Sequence, residues 1–226
     1  MCARNSAIAL DIFDMEIIIQ PTAETATSVA ARIIARLLRE KPNAVIGLAT
    51  GSTPLLLYRE LIAMKLDWRK VTTFNLDEYV GLAANDPCSY HYFMRQRFFD
   101  GVNIDLRNTH LPDGMADDLV AECVRYEARI VACGGIDLQV LGIGLNGHLG
   151  FNEPLSAFRS RTRVQNLSRV TRAQNAPLFP SPGQVPRHAI TMGVGTILEA
   201  RHCLLLATGE EKADVVAKAI EGPMTA

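Results

Sequence analysis

Apolar positions along the chain follow two alternating spacings. Short continuous apolar runs indicate buried strands, and stretches with apolar residues every three or four positions indicate amphipathic helices. The strand-like runs are Glu16–Gln20, Ala44–Leu48, Val71–Asn75, Asp137–Gly142, Ala189–Met192 and His202–Ala207. The helical stretches are Thr22–Lys41, Pro54–Met64, Ser89–Phe98, Asp117–Ala132, Thr196–Glu199 and Gly209–Ile220. This alternation predicts an α/β fold, a single domain over residues 1–226 with a Rossmann-like open parallel sheet and helices on both faces.

One long segment breaks the alternation. Between Glu153 and Pro186 the chain is polar and irregular, and it contains Pro177, Pro180 and Pro182. Prolines at this density disfavour regular structure, so we expect a loop or lid here.

Composition and charge narrow the class of protein. Of 226 residues, 48% are apolar and 21% are charged, which is typical of a soluble globular domain. The formal net charge is −1. Without a basic excess, neither nucleic acid nor a membrane surface is expected as a partner. A homo-oligomer is compatible with the sequence.

Cysteine usage and the N-terminus point to the cytoplasm. The five cysteines are widely spaced and form no Cys-x-x-Cys motif, so we expect reduced thiols rather than disulfides or a zinc site. The segment Met1–Met15 is too acidic and its apolar stretch too short for a secretory signal, and no run of 18 apolar residues occurs.

A candidate anion-binding loop follows the second strand-like run. Gly51 allows close approach of the backbone to a ligand, and Thr50, Ser52 and Thr53 offer hydroxyl groups. The free N–H groups at the start of the next helix favour an anion. A plain turn with a helix cap is the alternative, and the loop lacks the Walker and dinucleotide patterns.

Carboxylates follow the third strand-like run. Asp77 follows the end of a strand, where parallel-sheet enzymes place their catalytic residues, and is a candidate general base. Glu78 is a candidate partner for it. A helix or turn cap is the structural alternative.

The segment Gly142–Pro154 is the densest candidate site. Its glycines suit a loop that cradles a sugar or phosphate, and His148 suits proton transfer near neutral pH. Glu153 can orient that imidazole, and Asn146 can bind either the histidine or a ligand hydroxyl. A metal held by His148, Glu153 and His110 is a competing idea, but no H-E-x-x-H or paired-histidine motif occurs, so no metal is predicted.

Together these motifs resemble the glucosamine-6-phosphate deaminase family. The matching stretches are GLATGSTPLLL at 47–57, TFNLDEYVGL at 73–82, GIGLNGHLGFNEP at 142–154, SRTR at 160–163 and QVPRHAITMGVG at 184–195. The resemblance implies hydrolytic, isomerising deamination of glucosamine 6-phosphate to fructose 6-phosphate and ammonia, with no cofactor.

The resemblance also implies roles for individual residues. His148 opens the pyranose ring with support from Glu153 and Asn146, and Asp77 moves a proton between C2 and C1. The residues that hold the phosphate are Thr50, Gly51, Ser52, Thr53 and Lys212.

Four features depart from the family pattern. Asn146 stands where some members carry Asp, and Pro177 stands where some members place a phosphate-binding Arg. Gln165 replaces a Lys found in members activated by the N-acetylated sugar phosphate, so we expect little or no such activation. The chain ends at Ala226, where the family usually continues with another strand and helix, so the C-terminal segment is a candidate for truncation.

Three alternatives remain open. Galactosamine 6-phosphate is an alternative substrate, because related deaminases share the motif around His148. A non-catalytic sugar-phosphate sensor is the second alternative. A 6-phosphogluconolactonase shares the fold, but the string Phe74–Tyr79 matches the deaminases better.

Overall fold

The computed structural model describes residues 15–223, and it contains eight strands within that range. They are β1 (Val45–Leu48), β2 (Thr72–Asn75), β3 (Asp77–Tyr79), β4 (Thr109–His110), β5 (Leu138–Leu141), β6 (Arg163–Asn166), β7 (His188–Thr191) and β8 (His202–Leu205). Five of them form a parallel sheet in the order β4-β2-β1-β5-β8. The predicted parallel α/β sheet is confirmed.

Seven α-helices flank the sheets in the described part of the chain. They are α1 (Ala23–Glu40), α2 (Ser52–Ala63), α3 (Tyr90–Arg97), α4 (Leu119–Ala132), α5 (Arg169–Asn175), α6 (Val194–Leu198) and α7 (Ala213–Glu221). Helices α1, α2 and α3 share one core cluster with Ile46 and Leu48 of β1. Helices α4 and α6 share another with Val45 and Phe74. Because neighbouring β1 residues face opposite sides, helices cover both faces of the sheet, as predicted.

Helix starts follow the capping residues in the sequence. Thr22 caps α1 with a reciprocal pair of hydrogen bonds to Thr25. Ser89 caps α3, and Asp118 accepts hydrogen bonds from two backbone N–H groups of α4. The helix predicted from Asp117 therefore begins two residues later, because Asp118 is its cap.

A second, antiparallel sheet in the order β3-β7-β6 was not predicted. Ala189–Met192 was predicted as a strand, and β7 occupies that region, but it pairs with β3 and β6 outside the parallel sheet. Strand β6 and helix α5 lie in the segment predicted to be an irregular loop. Strand β6 has no buried residue and α5 buries only Thr171, so both lack the apolar runs on which the prediction relied.

The prediction of a strand at Glu16–Gln20 was wrong. This segment has no regular structure, and the side chains of Ile17, Ile18 and Ile19 are all exposed, Ile19 by 87%. An apolar run forms a strand only where a partner strand satisfies its backbone, and no strand among residues 15–223 pairs with it. Residues 1–14, which we interpreted as lacking a secretory signal, lie outside the described residues. Within residues 15–223 no helix is long and apolar enough to cross a membrane.

The strand order creates a crevice at the centre of the sheet. From β1 the chain proceeds to β2 and β4 on one side, and then returns to β5 and β8 on the other. The connections that leave β1 and β5 therefore diverge to opposite sides of the sheet. In open α/β sheets, ligands bind at such a point, beyond the carboxyl ends of the strands. The loops after β1 and β5 are the two glycine-containing segments singled out in the sequence.

Candidate active site

A cavity of about 700 Å³ lies at the carboxyl ends of β1, β2 and β5. Seven of the nine predicted site residues line it: Thr50, Gly51, Ser52, Thr53, Asp77, His148 and Lys212. The other two, Asn146 and Glu153, lie behind His148 and contact the cavity through it. The structure thus brings together residues that lie up to 162 positions apart in the sequence, from Thr50 to Lys212.

The loop after β1 presents the N-terminus of α2 to the cavity. Gly51 has a φ of 109°, a left-handed conformation that favours glycine, and α2 begins at Ser52. No side chain caps this helix, so its first N–H groups are free to bind an anion. The buried hydroxyl of Tyr58 donates a hydrogen bond of 2.5 Å to the carbonyl of Ala49, which anchors the start of the loop.

Asp77 follows β2 after one residue and is the first residue of β3. Its side chain is buried, and that burial, together with the neighbouring charge of Glu78, raises the pKa of Asp77 to about 8. Gly150 keeps space open beside it, because a Cβ at that position would lie 3.2 Å from Oδ2 of Asp77. The carboxyl group thus faces the cavity from an apolar wall and holds its proton unusually tightly.

Glu78 has a structural role, unlike Asp77, which faces the cavity. It is fully buried, and Oε1 accepts hydrogen bonds from the backbone N–H groups of Tyr79 and Tyr90. Its Oε2 accepts from the backbone N–H of His91 and lies 2.8 Å from the imidazole Nδ1 of that residue. Glu78 therefore ties the N-terminus of α3 to β3, and it does not line the cavity.

His148 is oriented by a chain of polar side chains. The Nδ1 atom lies 2.5 Å from Oδ1 of Asn146, an acceptor, so Nδ1 carries the proton of the neutral ring. The amide nitrogen of Asn146 donates to Oε2 of Glu153 at 3.2 Å. Oε1 of Glu153 in turn accepts hydrogen bonds from the hydroxyl of Thr171 and the backbone N–H of Ser168. With Nδ1 engaged, Nε2 is the basic atom of His148.

The protonation of this chain is set by burial and hydrogen bonding. Burial lowers the pKa of His148, and the positive charge of Lys212 lowers it further, against the opposing effect of the Glu153 charge. Burial alone would raise the pKa of Glu153, but hydrogen bonds from Thr171, Ser168 and Asn146 outweigh it and bring that pKa below its usual value. The arrangement therefore favours a neutral imidazole at His148 and an ionised carboxylate at Glu153.

The cationic groups of the cavity come from two elements. Lys212, in the turn before α7, donates from Nζ to the carbonyl of Ile143 at 2.8 Å. Arg97, on α3, also lines the cavity and was missed in the sequence. The signal that could have found it is its spacing: Ser89, Phe93 and Arg97 are four residues apart and share one face of the helix.

His110, the third residue of the competing metal hypothesis, lies elsewhere. It ends β4, its ring packs against Phe74, and its Nδ1 lies 3.4 Å from the guanidinium of Arg129. It is not among the cavity-lining residues. Among residues 15–223, no group of three or more His, Cys, Asp and Glu side chains is arranged to hold a metal ion.

Comparisons with known proteins agree with this geometry. Residues 20–226 match the family model described as glucosamine-6-phosphate isomerases/6-phosphogluconolactonase. The glucosamine-6-phosphate deaminase of Thermoanaerobacter sp. (strain X514) is 48% identical over 215 residues, covering 93% of this chain and 85% of the relative. Glucosamine-6-phosphate deaminase 1 of Bacillus subtilis (strain 168) is 49% identical over 205 residues, covering 89% of this chain and 85% of the relative.

Solved structures separate the two branches of that family. A monomeric glucosamine-6-phosphate deaminase superposes with a TM-score of 0.91 and 47% identity, covering 93% of this chain and 89% of that one. The 6-phosphogluconolactonase of Thermotoga maritima superposes with a TM-score of 0.72 but only 20% identity, covering 92% and 89% of the two chains. The second likeness concerns the fold alone, whereas the first extends to the sequence. The chain therefore belongs to the glucosamine-6-phosphate deaminase family.

Proposed function

We propose that this protein converts glucosamine 6-phosphate and water into fructose 6-phosphate and ammonia. The observation that carries the proposal is the shared cavity, in which Asp77 and His148 face the same space as the uncapped N-terminus of α2. An aldose–ketose isomerising deamination needs a proton carrier at the ring oxygen, a base near C2 and an anchor for the phosphate. The deaminase relatives at 48–50% identity support the same reaction.

Ring opening is assigned to His148. Nε2 is unprotonated in the neutral ring, because Nδ1 donates to Asn146. Nε2 takes the proton of the C1 hydroxyl as the bond between C1 and the ring oxygen breaks, and the ring oxygen becomes the C5 hydroxyl on receiving that proton. The lowered pKa of His148 keeps the imidazole in its neutral, basic form near pH 7. Glu153 stabilises the transient imidazolium through Asn146.

Proton transfer along the open chain is assigned to Asp77. The ionised carboxylate removes the proton from C2 and returns it to C1. A proton of the amino group passes to O1 at the same stage, and the amino aldose becomes an imine at C2 with a hydroxyl group on C1. Water then adds to C2, and ammonia leaves to give the ketose. A carboxyl group in an apolar wall is a stronger base than one in water, since its pKa is raised to about 8.

The phosphate is assigned to Thr50, Gly51, Ser52, Thr53 and Lys212. A dianion at the start of α2 accepts hydrogen bonds from free backbone N–H groups and benefits from the helix dipole. Lys212, whose Nζ is held at the carbonyl of Ile143, adds a compact positive charge to the same cavity.

The deciding experiment is ammonia release from the two amino-sugar epimers. We expect release from glucosamine 6-phosphate, and a loss of about 10²- to 10⁴-fold in kcat for Asp77→Asn. Asp117→Asn, an exposed carboxylate outside the cavity, serves as the matched control and should keep full activity. Faster turnover of galactosamine 6-phosphate would show that this epimer, and not glucosamine 6-phosphate, is the preferred substrate. Binding of either sugar phosphate without ammonia release would instead support the non-catalytic sensor.

We further propose that the protein works in the cytoplasm on this small molecule, without nucleic acid. None of the four cysteines in the described part of the chain forms a disulfide, which is the usual state of cytoplasmic thiols. The net charge of −1 gives the protein no overall electrostatic attraction to nucleic acid.

A further inference from the structure

Arg97 is a cation in the cavity wall to which the family motifs assign no role. Helix α3 presents Ser89, Tyr90, Phe93 and Arg97 to the cavity, which is the spacing of one helical face. Arg95, two residues earlier, points elsewhere and is paired with Asp100 at 2.5 Å. Arg97 forms no ion pair with any residue in the range 15–223, so its guanidinium keeps its donors for a ligand.

The packing of α3 against α2 places Arg97 and the anion-binding loop on the walls of one cavity. The ring of Phe98, next to Arg97, stacks on Tyr58 of α2 with a centroid distance of 4.7 Å. Tyr58 also holds the carbonyl of Ala49 at the start of the loop. Leu55, in the first turn of α2, lines the same cavity. The two helices are thus packed together, and Arg97 lines the same cavity as the N-terminus of α2.

A phosphate group bound in the cavity carries more negative charge than Lys212 alone can neutralise. A phosphate monoester is close to a dianion at neutral pH. Lys212 supplies one positive charge, and one of its N–H groups is already used by the carbonyl of Ile143. Pro177, which occupies the position of the phosphate-binding Arg of some family members, lines the same cavity and offers no donor. Arg97 carries the planar fork of donors that matches phosphate geometry.

We propose that Arg97 binds the phosphate of the substrate, together with Lys212 and the N-terminus of α2. The guanidinium of Arg97 donates hydrogen bonds to the phosphate, which Pro177 cannot do. The inference rests on the proposed function for the identity of the ligand, but it concerns binding of the phosphate rather than the chemical step.

The test compares Arg97→Gln and Arg97→Lys with the wild type. Binding of fructose 6-phosphate, measured by calorimetry, should weaken by about 10- to 100-fold in Arg97→Gln. The KM for glucosamine 6-phosphate should rise in parallel, while kcat stays within about threefold, since the lost contact is equal in ground and transition states. Arg97→Lys keeps the positive charge but lacks the planar fork of donors, so its affinity for fructose 6-phosphate should lie between those of the wild type and Arg97→Gln.

Arg59→Gln is the control, because Arg59 is an exposed arginine on α2 that does not line the cavity. It should bind fructose 6-phosphate like the wild type, and thermal unfolding should show both glutamine variants folded. Wild-type affinity for fructose 6-phosphate in Arg97→Gln would overturn the inference, whatever the enzyme's activity. A wild-type protein that binds fructose 6-phosphate but releases no ammonia would overturn the proposed function. In that case the calorimetric comparison of Arg97→Gln with the wild type would still test whether Arg97 binds the phosphate.

Discussion

The imidazole Nδ1 of His148 lies 2.5 Å from the amide oxygen of Asn146. The side chain that orients the histidine is therefore uncharged, and Glu153, the carboxylate whose charge raises the pKa of His148, lies one hydrogen bond further away. Burial of the ring outweighs the attraction of that distant charge, so the pKa of His148 lies below its usual value. An amide in this position favours a neutral base, whereas a carboxylate would favour the imidazolium.

The first prediction follows from this relationship. Asn146→Asp should raise the pKa of His148, because a carboxylate in direct contact stabilises the imidazolium. An NMR titration of the His148 ring measures this pKa. Asn146→Ala removes the amide without adding charge and should produce no such rise. A pKa in Asn146→Asp equal to or below that of the wild type would contradict the electrostatic account.

The second prediction concerns stability and Asp77. Its pKa is about 8 in the folded protein, against about 3.9 in an unfolded chain. Between these values the folded state binds a proton that the unfolded state has released, so the free energy of unfolding falls as pH rises through this window. Asp77→Asn has no such titration and should gain stability relative to wild type by on the order of 2 kcal/mol or more between pH 5 and pH 8.

Urea unfolding of both proteins at the two pH values measures the difference. Asp117→Asn again serves as the control, since an exposed carboxylate should produce no pH-dependent gain. If the stability difference between Asp77→Asn and wild type were the same at pH 5 and pH 8, burial of the Asp77 charge would not govern its ionisation.

The third prediction concerns the space beside Asp77. Gly150 has a φ of 60°, and a Cβ there would lie 3.0 Å from Oγ1 of Thr191 and 3.2 Å from Oδ2 of Asp77. Gly150→Ala should cost about 1 kcal/mol in backbone strain and should displace the Asp77 carboxylate. We expect kcat to fall by about 10-fold or more, because proton transfer depends on the position of the carboxylate.

Steady-state kinetics with glucosamine 6-phosphate provide the readout for this variant. Gly183→Ala is a suitable control, since no atom lies within 4 Å of a Cβ at that position. A kcat for Gly150→Ala equal to that of Gly183→Ala would show that the gap beside Asp77 is not needed.

The fourth prediction concerns regulation. Arg163 donates hydrogen bonds to Asn152 and Ser156 within the chain, and Gln165 carries no charge where activated members of the family have a lysine. A second phosphate site built on these residues would lack the lysine charge, and the donors of Arg163 are already engaged within the chain. N-acetylglucosamine 6-phosphate should therefore leave the saturation curve for glucosamine 6-phosphate unchanged. A marked shift of that curve to lower substrate concentration would disprove this expectation.

Local patterns in the sequence predict most of the α/β framework. Thr22 and Ser89 cap the helices they were expected to cap or begin, and the apolar runs at β1, β2 and β5 form parallel strands. These features depend on contacts between near neighbours and on burial of continuous apolar runs, so the sequence alone can reveal them. The run at Glu16–Gln20 has the same local pattern, yet it forms no strand, because pairing depends on residues far away in the chain.

What the sequence by itself determined is the set of reactive groups: the glycine loop before Ser52, the carboxylate of Asp77 and the imidazole of His148. Only the tertiary structure decided their relation. The reversal of strand order between β1 and β5 brings these groups around one cavity. Glu78, adjacent to Asp77 in sequence, is turned away from the cavity and holds α3, whereas Arg97 lines the cavity. The direction of a side chain along a strand or helix is fixed by packing against distant elements, which no local pattern records.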